Sequence, residues 1–137
     1  MKIGIVSTPV FRLCPPNGTT GYSGLECIVY HRAVGLAKRG HQVTVFAPDG
    51  SEVPGCQVIG TGPAGGHDEM QAYGGDRARG WQGYWPMLLQ CDCVIDDSWL
   101  KQSYLLKAEG RLKCPVLGVC HAPVNTLYQS PPPVDKP

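Results

Sequence analysis

Two short stretches of the chain hold residues whose types and spacing suit chemistry. The first, "GTTGYSGLE", covers residues 18–26 and crowds Gly, Ser and Thr between an apolar run and an amphipathic segment. Glycines there let backbone approach a ligand closely. The N–H groups at the start of the following helix attract a phosphate or a hydroxylated substrate. The plainer alternative is a flexible turn that needs positive φ. The spacing is not that of a dinucleotide fingerprint, because the link from Ser7 to Gly24 is too long. Nor is it a P-loop, because no Gly-Lys-Ser/Thr follows. The second stretch, "CPVLGVCHAP", ends an apolar run on His121. An imidazole there could donate to a sugar or phosphate oxygen, support charge on a leaving group, or simply cap the strand.

Asp96, Asp97 and Ser98 close a further apolar run, "CDCVIDDS". Adjacent carboxylates on a strand point to opposite sides, so only one can face a given cleft wall. They suit hydrogen bonds from substrate hydroxyls. Asp97 or Ser98 also suits the cap of a helix starting near Trp99. A pair of carboxylates working as a hydrolase is not indicated. Trp81, Tyr84, Trp85 and Trp99 suit either stacking on sugar rings or lid packing. His41 opens a strand at the opposite edge and is read as structural. His31, mid-helix, is read as facing solvent. No Asp-x-Asp occurs, and no metal is called for.

The elements that must position these groups follow from hydrophobic period. Residues 2–7, 42–47 and the shorter 56–62 read as strands, as do "CDCVIDDS" and "CPVLGVCHAP". Residues 24–39 read as a helix capped by Ser23, with Glu26 in its first turn, Lys38 and Arg39 at its end and Gly40 just beyond. Its apolar face is Leu25, Ile28, Val29, Ala33, Leu36 and Ala37. Residues 85–90 predict a short helix and residues 99–110 another. Residues 63–83 are loop-like, and the tail "PPPVDKP" suits neither helix nor central strand. Alternating strands and helices predict an α/β, Rossmann-like open parallel sheet with helices on both faces. Ligands of such sheets sit beyond the carboxyl ends of the strands, where Gly, Asp and His concentrate here.

The chain has 137 residues, 42% hydrophobic, with formal net charge +1. That fits one domain and gives no electrostatic case for nucleic acid. No apolar run approaches the ~20 residues of a membrane span, so no transmembrane segment is expected. Seven cysteines without a Cys-x-x-Cys pair read as structural thiols in a reducing, cytoplasmic compartment. Cys91 and Cys93, on one strand, would share a face.

Taken in order, "MKIGIVS", "PPNGTTGYSGLE", "AVGLAKRGHQVTVFAPDGS", "CDCVIDDSW" and "CPVLGVCHAP" resemble the N-terminal domain of family-four retaining glycosyltransferases of the GT-B fold. The resemblance covers nearly the whole chain. It implies an acceptor-side domain of an enzyme that transfers a sugar from a nucleotide-sugar donor, with no separate cofactor. On that likeness Gly21, Ser23, Gly24 and Glu26 fall on the loop near the donor phosphates. His121 falls on the catalytic histidine that contacts the transferred sugar. Asp96, Asp97, Ser98, Trp99 and Asn125 fall on the acceptor side. Ser23-Gly24 replaces the family's Gly-Gly. The resemblance also implies half of a GT-B fold, incomplete at its C-terminus. It would then be not competent alone, needing a donor-binding second domain or partner chain and a small-molecule or glycan acceptor. The alternative is a non-catalytic Rossmann-like binding module that self-associates as a homo-oligomer through an exposed sheet edge.

Overall fold

The computed structural model describes residues 1–19, 24–65, 85–98 and 101–119. Five strands form one all-parallel sheet: β1 (Lys2–Val6), β2 (Gln42–Ala47), β3 (Gln57–Gly60), β4 (Cys93–Asp96) and β5 (Val116–Gly118). Their spatial order is β3-β2-β1-β4-β5. Among the described residues two helices with given bounds accompany them, α1 (Gly24–Lys38) between β1 and β2, and α2 (Gln102–Ala108) between β4 and β5. The Rossmann-like α/β expectation is therefore met.

Alternation along the strands builds two cores. Ile3 and Ile5 of β1 and Val43, Val45 and Ala47 of β2 point to one side, where Val29, Tyr30 and Ala33 of α1 close over them. Val6, Phe46 and Val94 point to the other, against Leu88 and against Tyr104 and Leu106 of α2. Burying each such side chain stabilises the fold by about 1.5–3 kcal/mol. On the second side, residues 85–88 are helical, and the Arg111 guanidinium stacks 4.1 Å over the Trp85 ring.

Helix α1 begins at Gly24 as the sequence predicts and stops where Gly40, at φ 89°, lets its N–H reach Ala37 O. Its buried stripe differs in detail. Tyr30 and Glu26 are buried, whereas Ile28 is 44% exposed. Helix α2 is shorter than the predicted 99–110. Lys101 takes a left-handed backbone, φ 48° and ψ 44°, which no α-helix can continue through. The helix can start only after it.

Cys91 and Cys93 do not share a face. Cys93 opens β4 and packs with the α1-side core, while Cys91 lies before the strand and packs on the α2 side. The two-residue period holds only inside a strand, and Cys91 is outside it. Its sulfur occupies the space beside Gly4, where a Cβ would come within 2.8 Å of Cys91 Sγ and 3.4 Å of Phe46.

Loops at the carboxyl ends of β1, β2 and β3 are laced together. Leu13 N–H donates to Ser51 Oγ at 3.1 Å and Glu52 N–H to Leu13 O at 2.8 Å. Gly65 N–H donates to Pro9 O at 2.9 Å, and Asp49 N–H to Gly62 O at 2.8 Å. Among the described residues no helix is long and apolar enough to cross a membrane.

Gly4→Ala is expected to destabilise the protein by about 1–3 kcal/mol through overpacking. Because Cys91 Sγ is the nearest obstacle, Gly4→Ala with Cys91→Ala should cost less than the two single changes summed. Urea denaturation of the four chains measures this coupling; strict additivity would refute the contact.

Candidate functional site

Strand β1 is the reversal point of the sheet. The chain winds outward through β2 and β3, then crosses back to add β4 and β5 on the other side of β1. A crevice outside the carboxyl ends of β1 and β4 is where ligands of open α/β sheets bind. Thr8 follows β1, Asp97 and Ser98 follow β4, and the first turn of α1 stands over this edge.

Contacts inside the crevice wall pair every acidic side chain described there. Thr8 Oγ1 donates to Glu26 Oε1, which fastens the first turn of α1 to the end of β1. Both residues are about 1% exposed. Arg32 Nη1 donates to Asp97 Oδ2, joining α1 to the end of β4. Asp97 N–H continues the ladder to Val6 O at 2.9 Å. The Asp97 side chain is fully buried and that of Arg32 is one-quarter exposed. The Asp97 carboxylate is thus desolvated and compensated by one guanidinium, a charge-assisted contact stronger than a neutral one.

Asp96 points the other way, as alternation requires. Its Oδ1 accepts from Ser98 N–H at 2.9 Å and from the Ser98 hydroxyl at 2.5 Å. Its Oδ2 accepts from Ser103 N–H at 3.3 Å and from the Ser103 hydroxyl. The carboxylate therefore serves the start of α2. Ser98 Oγ accepts the Lys101 N–H at 3.2 Å, so Ser98 holds the turn before the helix rather than its first residue. Asp97 takes no part in capping α2 among the contacts described. Lys101, 5% exposed, donates its Nζ to Asp96 O and to Val119 O, each at 2.9 Å.

The structure thus brings Glu26, Asp96, Asp97 and Ser98 to one edge, and it turns their polar atoms into the fold. Gly24 is exposed there, with open space where a Cβ would be. Gly21, Ser23, Trp99, His121 and Asn125 lie outside the described residues, as do Trp81, Tyr84 and His67. Sequence reasoning missed Thr8, Arg32, Lys101 and Ser103. A hydroxyl one residue past a strand, followed by a glutamate in the next helix's first turn, was the available signal for Thr8. Arg32 reads as solvated from its charge, and nothing in the local pattern marks Lys101. His41 sits at the opposite edge, its N–H on Leu36 O, and His31 is exposed.

A groove of about 200 Å³ lies elsewhere, on the α2 side of the sheet towards its amino edge, lined in part by Lys2, Gln42, Thr44, Gln57 and Gln90. It holds no paired charges. Among the described residues six cysteines are free thiols. Burial, with the neighbouring Cys114, Cys93 and Asp92 adding to it, pushes the Cys91 thiol from 9.0 up to about 11. Burial likewise raises Cys56, Cys93 and Cys114. Such thiols are poor nucleophiles at neutral pH. Among the described residues no group of three or more His, Cys, Asp or Glu is placed to hold a metal ion. No family model matches the chain, and no curated protein matches it.

Replacing Asp97 by Asn or Arg32 by Leu is expected to cost about 1–3 kcal/mol each, with the double variant little worse than the Asp97 single. A double-mutant cycle by urea denaturation measures it; additive losses would mean the pair is not coupled. The Cys91 thiol is neutral in the fold up to about pH 11, while the unfolded chain ionises near 9.0. Its stabilising contribution is therefore complete below pH 9 and declines between 9 and 11. Denaturation at pH 8 and pH 10.5 should show that decline, and Cys91→Ala should make it shallower.

Proposed function

We propose that this domain is the acceptor side of a glycosyltransferase that moves a sugar from a nucleotide-sugar donor, the donor being held by a second Rossmann-like domain. The observation that carries the reading is convergence at the reversal point of the sheet. The Thr8–Glu26 bond sets the start of α1, and with it the end of the glycine-rich loop at Gly24, over the carboxyl end of β1. The Val119 N–H donates to Asp96 O at 3.0 Å, so the chain departs for His121 from beside the end of β4. The two segments that the family resemblance marks as functional thus leave from the carboxyl ends of β1 and β5, which flank β4 in one parallel sheet.

On this reading the anomeric carbon loses its bond to the nucleotide phosphate and gains one to the acceptor hydroxyl oxygen. The hydroxyl proton passes to the leaving phosphate. Gly24 and the loop before it line the cleft. His121 donates to the transferring sugar, where a hydrogen bond that strengthens with developing charge lowers the barrier. Arg32–Asp97 and Thr8–Glu26 keep the wall in place. The acceptor site works only when the donor is held against it, because transfer needs both substrates in contact.

The test mixes the chain with a separate donor-binding domain and a panel of radiolabelled nucleotide sugars and acceptors. Label should pass to an acceptor, and His121→Ala should lower the rate about a hundredfold or more. Label transfer indifferent to His121→Ala, or binding of no acceptor by the isolated chain, would overturn the reading.

A further inference from the structure

We propose that the groove on the α2 side of β1, β2 and β3, towards their amino ends, binds a small monocarboxylate with a short apolar body. The groove stands at the opposite end of the strands from the crevice, so the inference does not rest on the glycosyltransferase reading. Strands of a parallel sheet are normally covered on both faces and apolar on both. The α1 face of these strands obeys that rule: Val43, Val45 and Ala47 are buried there, and Val58 packs against them. The other face departs from it. Lys2 from β1, Gln42 and Thr44 from β2 and Gln57 from β3 all line the groove, whose volume is about 200 Å³. An apolar helix laid on these residues would leave buried carboxamides unpaired, at about 1–3 kcal/mol each. This part of the sheet is therefore suited to a polar occupant.

Strand register sorts the groove into a polar and an apolar end. Lys2 is level with Gln42, and Thr44 with Gln57. The next row towards the carboxyl edge on this face is Phe46 and Ile59. Ile59 and Met87 supply apolar lining. The polar groups are available for a ligand. Thr44 Oγ1 lies 3.4 Å from Gln57 Oε1, too long a contact to satisfy either group. Among the described residues no group bonds the Lys2 ammonium or the carboxamides of Gln42 and Gln90.

Charge selects the ligand. No carboxylate lines the groove, and Lys2 is its one cation among the described residues. Asp92 does not line it, and its Oδ2 accepts the Lys2 main-chain N–H at 2.6 Å. The Lys2 ammonium acts on the groove wall, because its charge opposes the upward push of burial on the Cys91 thiol. One ammonium with carboxamide N–H donors beside it matches one carboxylate through charge-assisted hydrogen bonds. A second carboxylate would meet no second cation. The groove is smaller than the ~300–1,000 Å³ of drug-sized sites, which limits the apolar body to a few carbons.

The experiment titrates the isotope-labelled full chain with isovalerate and follows its amide and carboxamide resonances. Saturable shifts should appear at the side chains of Gln42, Gln57 and Gln90, while the main-chain amides of Gly24 and Ser98 at the crevice stay still. Isovaleramide and isoamylamine, of similar shape but neutral and cationic, should bind about tenfold more weakly or worse, because the charge-assisted bond is lost. Lys2→Met should weaken isovalerate by a similar factor. Shifts that do not saturate at millimolar isovalerate would overturn the proposal. So would equal binding of isovaleramide, or unchanged affinity in folded Lys2→Met. Should Lys2→Met not fold, Gln90→Ala on the groove wall replaces it, and unchanged affinity there would overturn the proposal equally.

Discussion

Strand β1 is hydrogen-bonded along both edges, to β2 through Lys2–Val6 and to β4 through Ile3–Val6. The rest of the structure takes its arrangement from this double pairing. With both edges filled, β1 can present side chains only to the two faces, so Ile3 and Ile5 define one core and Val6 the other. Because β2 and β4 leave it in opposite directions, the loops above their carboxyl ends part over β1. Thr8, Asp97 and the start of α1 meet in that gap. A fully antiparallel sheet of the same residues would have scattered them to both edges.

The gap is walled by acidic side chains that the fold itself partners. Asp97 is matched by Arg32, Glu26 by the Thr8 hydroxyl, and Asp96 by two serines. Each match spans elements: α1 to β4, α1 to β1, β4 to α2. Buried ionic groups are costly to place and costly to break, so they fix which partner an element packs against rather than adding net stability. Lys101 belongs to the same scheme, its Nζ donating to the main-chain carbonyls of Asp96 and Val119. The wall is consequently defined by polar geometry, while the cores beneath it are defined by shape.

Much of this was legible in the sequence because period and punctuation are local. The strands showed as β-branched runs, and α1 announced its end through Lys38, Arg39 and Gly40. The crossover rule then fixed the parallel sheet and the edge at which polar residues gather. What was not legible depends on where a side chain goes after leaving its element. Asp97 reads as a cap from its place before a helix, yet it turns to Arg32, sixty-five residues earlier in the chain. Tyr30 and Ile28 differ by two positions on α1, and only the tilt of the helix on the sheet decides which is buried. Lys101 sets where α2 can start by a backbone conformation that composition does not encode. His121, Ser23 and the end of the loop before Gly24 were the sharpest readings from residue type, and residues 20–23 and 121 fall outside the described residues.

The lacing above β1, β2 and β3 has a thermodynamic corollary. Loops at a binding edge commonly forfeit conformational entropy when a ligand arrives, and affinity is reduced by that amount. Here Pro9, Leu13, Ser51, Glu52 and Gly65 have already surrendered theirs on folding, through main-chain contacts and the Ser51 hydroxyl. A molecule resting on this shelf would meet a surface whose ordering was completed beforehand, so its association would carry little entropic penalty from that quarter.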